Sequence, residues 1–313
     1  MTEATSAPES TTTARSRVSS AFVGLGVGIA AGAVGLVPWL IGGGILPLQN
    51  LWATGTLPDD MPFALLPLSQ YSAITVFVLI LLGGVFAGLT VRLLARRREF
   101  SAWPAAIGLL IVHAFAVAQS FAVIADGLGG GRREALYFVG LLGGAIFSVL
   151  LAQVAFWLGS RRSTGAVALA IGLAAAPFAV WIRQIAVIVG GPSGISIPMT
   201  ELLRWMPALI VGLTLVWCGL RPARRIAVWL VVLIGLWVIP ALFTTIQYGL
   251  GMRVLNGDLR EMASASGQVF PLALGVEILP ALVALALAVV GTAVNEIVRR
   301  RQPVPEAEPQ ADS

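Results

Sequence analysis

The sequence predicts an all-α, polytopic membrane protein: a helical bundle of about eight transmembrane helices. Three observations carry that reading. The 313 residues are 58% hydrophobic and 11% charged, with a mean hydropathy of +0.90, whereas soluble domains are nearer half apolar and a quarter charged. Apolar windows recur along the chain, each near the ~20 residues a helix needs to cross a bilayer. Arginine clusters close every second window.

Taken in order, residues 1–18 are rich in Ser and Thr and read as a disordered tail. The first span, 19–41, is too long for a conventional signal peptide and lacks its cleavage motif, so it reads as a signal-anchor helix. Residues 42–69 (GGGILPLQNLWATGTLPDDMPFALLPLS) are apolar yet broken by proline. Part of this stretch is expected to lie on or dip into the membrane, as an ordinary connection first and as a lid or partner contact second. Spans 70–94 and 102–126 flank Arg96, Arg97 and Arg98. Spans 135–159 and 164–189 flank Arg161 and Arg162, and spans 201–220 and 226–250 flank Arg221, Arg224 and Arg225. Residues 252–269 include a candidate surface helix around Asp258 to Met262. The last span, 270–297, runs into Arg299, Arg300 and Arg301, and 298–313, Pro-rich and acidic from 302 onward, reads as a second disordered tail. One transmembrane domain, 19–297, therefore lies between two tails.

Orientation follows from the arginines, which resist translocation near span ends. With the N-terminus inside, 14 of the 20 basic residues fall on the cytoplasmic side and six (Arg132, Arg133, Arg183, Arg204, Arg253 and Arg260) on the other. Both termini are thus expected in the cytoplasm. Trp39, Tyr71, Tyr137, Trp181, Trp205 and Tyr248 near the outer ends, and Trp103, Trp157, Trp217 and Trp229 near the inner ones, suit headgroup depth. All basic residues are arginine, and Ala, Gly and Val are abundant. That usage fits a GC-rich coding bias, so the expected setting is the cytoplasmic membrane of a bacterium.

Several chemistries are excluded by composition. Spreading the basic residues over span ends removes the nucleic-acid reading of a net charge of +5. One cysteine, Cys218, excludes an intrachain disulfide and a Cys-built metal site, and one histidine, His113, is too few for a His-built zinc site. A phosphate loop needs a lysine that the chain does not have. No metal and no other cofactor is expected. GPSG (191–194) resembles the Gly-x-Ser-Gly nucleophile motif of rhomboid intramembrane proteases. Ser193, however, falls in a loop outside the bilayer and follows His113, the reverse of the rhomboid order, so no protease, and no enzyme, is expected.

The spans group as four tandem helical hairpins. Gln119, Gln184 and Gln247 lie 21, 22 and 22 residues after Arg98, Arg162 and Arg225, and Pro177 and Pro240 each precede a glutamine by seven. LLGG occurs at 81–84 and again at 141–144. Chance recurrence in an apolar, Gly-rich sequence is the competing explanation. Gly84 with Gly88, and Gly24 with Gly28, form small-xxx-small pairs suited to close helix packing.

Few side chains remain for chemistry. Arg183, Gln184, Glu201, Arg204, Gln247 and Glu277 all fall at outer headgroup height and are expected to form an outer ionic network or vestibule, with a structural salt-bridge belt the blander form. Pro177, Pro207, Pro240 and Pro280 sit in the outer halves of their spans; kinks there could open such a vestibule, but prolines that merely bend their helices to fit neighbours are the favoured reading. His113 and Gln153 are the intramembrane polar candidates. For His113 a neutral imidazole bonded to a neighbouring helix is favoured over a proton relay, because no carboxylate lies at its depth; for Gln153 a packing hydrogen bond suffices. These features point to a permease-like protein for a small solute or lipid. The alternative is a non-catalytic membrane subunit or scaffold in envelope assembly or regulation. The expected partners are the lipid bilayer and a membrane protein, not nucleic acid.

Overall fold

The structure, a computed structural model, describes residues 10–96, 101–191, 194–252 and 258–301. They form eight long helices: α1 (Ser10–Ile41), α2 (Ala73–Ala95), α3 (Trp103–Gly127), α4 (Arg132–Ser160), α5 (Thr164–Gly190), α6 (Ile197–Cys218), α7 (Arg224–Gly251) and α8 (Leu259–Arg301). Each is long and apolar enough to cross a membrane. This is the architecture of a multi-pass membrane protein, an all-α bundle. The side of the bundle where α1 begins is called the near end below, and the opposite side the far end.

Helix ends fall where the local chemistry places them. Pro104 and Pro198 sit in the first turns of α3 and α6, where a missing N–H is harmless. Gly191 (φ 56°) and Gly219 (φ 68°) end α5 and α6 in the left-handed region that glycine tolerates. Two boundaries differ from the sequence reading. α1 is already helical from Ser10, inside the stretch expected to be a disordered tail, since no Gly or Pro interrupts the chain between Ser10 and Gly24. The candidate surface helix is also not separate from the last span. Asp258 Oδ1 accepts the backbone N–H groups of Arg260 and Glu261, both at 3.0 Å, and so caps a single 43-residue α8 that passes through Pro271 and Pro280. Residues 1–9 and 302–313 of the tails, Ser193 of GPSG and residues 253–257 lie outside the described residues.

The four hairpins associate in two pairs with one packing scheme. In α1–α4 the first helix packs on the second and third, and the fourth packs on the second and third; α5–α8 repeat those contacts helix for helix. α2 and α3 also touch, as do α6 and α7. Glycine makes the crossings close. A Cβ at Gly28 of α1 would meet the Ala105 carbonyl of α3, and one at Gly108 of α3 would meet the Leu25 carbonyl of α1. Gly172 of α5 and Gly235 of α7 face each other's helices in the same reciprocal way, against Val232 and Leu173. These four glycines lie ten or eleven residues past Arg17, Arg98, Arg162 and Arg225, a regularity that the sequence reading passed over. Without a hydrophobic drive between helices in lipid, such close backbone approach is what holds them together.

α5 joins the halves, packing on α1, α2 and α4 as well as on α6 and α7. Trp181 donates its ring N–H to the Gly35 carbonyl of α1 at 2.9 Å. Phe86 of α2 meets Phe178 and Trp181 edge-on at 6.4 and 5.7 Å between centroids.

Candidate functional site

The helix packing leaves α4 and α7 apart. Both lean on α5 and α2, yet they do not pack as a pair. Between them lies a cleft of about 1500 Å³, beyond the ~300–1,000 Å³ of an ordinary small-molecule site. Ile74, Phe77 and Leu81 of α2 form its back, with Leu173 and Pro177 of α5 at the base. Val139, Gly140 and Phe147 of α4 make one side, and Leu242 and Ile246 of α7 the other. Phe77 meets Phe243 edge-on at 5.7 Å between centroids, closing the back of the cleft. Along α4 the lining runs from Arg133 to Leu158, about 37 Å at ~1.5 Å per residue, which exceeds the ~30 Å hydrocarbon core of a bilayer.

The α4 wall owes its recess to glycine. A Cβ at Gly140, Gly143 or Gly144 would meet nothing within 4 Å. The matching pair on α2 is the opposite case: a Cβ at Gly84 would meet the Ala152 carbonyl, and one at Gly83 would lie 2.9 Å from the His113 ring. The two LLGG segments thus occupy unlike places, one in a helix crossing and one bare.

The far end of the cleft is closed by the connection between α1 and α2, which is folded rather than loose. Leu46, Ala64, Leu66 and Leu68 are buried. Gln119 and Ser120 of α3 accept the backbone N–H groups of Leu65 and Leu66, each at 2.9 Å, and Gln119 also donates to the Phe63 carbonyl. Trp39 donates to the Ala64 carbonyl at 2.8 Å. Gln49, itself buried, donates to the Leu68 carbonyl at 2.8 Å and accepts the Tyr137 hydroxyl of α4. Leu51 and Leu68 of this plug, with Gln70 just after it, line the cleft. The sequence marked 42–69 as apolar and Pro-broken and put Tyr137 at an outer span end; the other polar side chains that clamp the stretch, Gln49 and Ser120, carry no periodic signal and were missed.

The predicted site residues do not meet as one constellation. Arg183 is exposed, and Gln184 donates to the Thr75 hydroxyl of α2 at 3.0 Å. Glu201 and Gln247 are exposed. The Arg204 guanidinium lies 5.5 Å from the Trp205 ring centroid, and its charge acts on half-buried Glu277 across the α6–α8 contact. Arg183, Glu201, Arg204 and Glu277 form no ion pair with one another; the pair found among the described residues, Arg300–Glu296 at 3.1 Å, is at the near end. Gln153 makes the packing bond expected of it, donating to the Ala106 carbonyl of α3 at 3.3 Å. His113 is fully buried, but the expected bond to a neighbouring helix is absent: both ring nitrogens lack a partner. The ring lies against Gly83 of α2, a residue with no side chain to offer a partner. None of these eight residues lines the cleft.

The chain matches no known family model, no curated protein and no solved structure.

Proposed function

We propose that this is a permease-like, non-enzymatic membrane protein whose cargo is a lipid or lipid-like amphiphile rather than a polar solute, admitted sideways from the bilayer between α4 and α7. One observation carries this reading: the cleft runs the depth of the hydrocarbon core with almost wholly apolar walls. A polar solute entering it would lose water against surfaces that cannot replace its hydrogen bonds, at ~2–7 kcal/mol for each amide or hydroxyl. An acyl chain loses nothing there. The setting we propose is the bacterial cytoplasmic membrane with both termini in the cytoplasm, on the strength of the arginine distribution.

The test is to fill the cleft where the fold leaves room. Gly144→Phe places a ring into the cleft from a position with no neighbour within 4 Å. The full-length variant should keep its melting temperature and lose lipid retained through detergent purification by at least ~10-fold, equivalent to ~1.4 kcal/mol. Unchanged retention would overturn the proposal. The scaffold reading has an observation of its own: Gly140 and Gly144 form an open small-xxx-small pair, the pattern that seats another transmembrane helix. Under that reading Gly144→Phe releases a co-purifying membrane protein and leaves lipid content as it was.

A further inference from the structure

Resting on the lipid reading, we infer that the cleft takes its lipid in one orientation only, with a phosphate headgroup at the far end beside Arg133 and no seat for that headgroup at the near end. The polar groups lining the cleft are distributed unequally. Gln70, Arg133, Tyr137 and Asp258 all stand at the far end. Ser148, midway along α4, spends its hydroxyl on the Gly144 carbonyl at 2.7 Å. From there to Leu158 of α4 and Leu169 of α5 the lining is apolar.

The far-end groups also differ in what they have left to offer. The Tyr137 hydroxyl donates to Gln49 and accepts the Gln70 backbone N–H, so it belongs to the plug. Asp258 caps α8 through Oδ1. Arg133 has no ion-pair or hydrogen-bond partner among the described residues, and neither does the Gln70 side-chain amide. The free donors are thus a guanidinium and an amide beside the first turn of α4, where the helix dipole adds positive potential, while the Asp258 carboxylate keeps its charge but is held through Oδ1 by the first amides of α8. A phosphate diester suits them: an Arg fork meets two phosphate oxygens at once, and the diester keeps its charge at every physiological pH. The volume, above that of a small-molecule site, favours a two-chain lipid over a single fatty acid.

The same asymmetry sets the end from which the cleft is loaded. A headgroup drawn down the cleft would leave Arg133 and meet only apolar side chains, with its charge unpaired in a medium of low dielectric. The seat therefore takes lipid from the leaflet at the far end, and in this conformation the lipid held there keeps its headgroup at that surface.

The experiment uses delipidated full-length protein titrated in native mass spectrometry with dioleoyl phosphatidylglycerol, with dioleoylglycerol, which has the same chains and no phosphate, and with oleate. Phosphatidylglycerol should bind at least ~10-fold tighter than either of the others. Arg133→Gln should remove that advantage and leave dioleoylglycerol binding as it was, whereas Arg133→Lys, which keeps the charge, should retain part of it. The inference is overturned if the phosphate advantage is absent or survives Arg133→Gln, or if oleate binds as tightly. Should Gly144→Phe leave all lipid binding intact, it is the cleft as a lipid site that fails, separately from the headgroup assignment.

Discussion

His113 shows how far a single residue can be read before its neighbours are known. Its depth, 15 residues past Arg98, was legible as a count along a helix. Its partner was not, because hydrogen bonding depends on which face of which helix turns toward it. With both nitrogens unpaired inside the α1–α2–α3 contact, the ring withholds a donor and an acceptor from water. Each unsatisfied buried group costs about 1–3 kcal/mol. His113→Leu, similar in volume and without polar atoms, should leave the melting temperature of the detergent-solubilised protein unchanged or raise it. A clear fall would reveal a polar partner for this ring. Gln49 is the contrary case, a buried amide that is fully engaged. Gln49→Ala strands the Leu68 carbonyl and the Tyr137 hydroxyl, so the plug should loosen by about 1–3 kcal/mol for each group left unpaired. Limited proteolysis within 42–69 should become faster, with the helices still protected; identical cleavage rates would show that the clamp contributes nothing.

At the scale of elements, the helices were legible and the connections were not. Length and hydropathy are properties of a segment alone, so the span windows agree with the helices to within a few residues over α2–α7. The plug, by contrast, is set by Gln119 and Ser120 reaching from α3 to a backbone more than 50 residues earlier in the chain. Glycine gives the sharpest example. Gly84 and Gly144 occur in identical LLGG strings, yet one abuts the α4 backbone and the other faces open space. No local pattern separates them, because a missing side chain looks the same whether a neighbour fills the gap or not. The two should respond oppositely to substitution. Gly84→Val drives branched methyls into a carbonyl that cannot yield, an overpacking penalty of about 1–3 kcal/mol or more, and should lower the folded yield in fluorescence-detected size exclusion. Gly143→Val meets nothing within 4 Å and should elute like the wild type. Equal behaviour of the pair would mean that α2 and α4 do not cross where Gly84 places them.

For the molecule as a whole, the repeat that arginine spacing suggested acquires a physical form: hairpins paired through reciprocal glycines, and the pairs joined at α5. The cleft is a product of that join, since α4 and α7 belong to different halves and each already has partners within its own. A repeat whose copies both start at the near end is of the parallel kind, related by an axis along the membrane normal. Its site opens sideways, and orientation decides which leaflet it serves. Under the orientation proposed from the arginine distribution of the sequence, with the near end in the cytoplasm, the Arg133 seat draws on the outer leaflet. A lone native cysteine makes this testable. Cys218→Ala yields a cysteine-free chain, into which Gly55→Cys in the plug, with nothing within 4 Å, or Ser163→Cys before α5 can be introduced singly. In intact cells a membrane-impermeant maleimide should label the cysteine at position 55 directly, and the one at 163 only after the membrane is opened. The reverse pattern would put the headgroup seat at the inner leaflet; labelling of both in intact cells would mean that the two positions do not lie on opposite faces of one membrane.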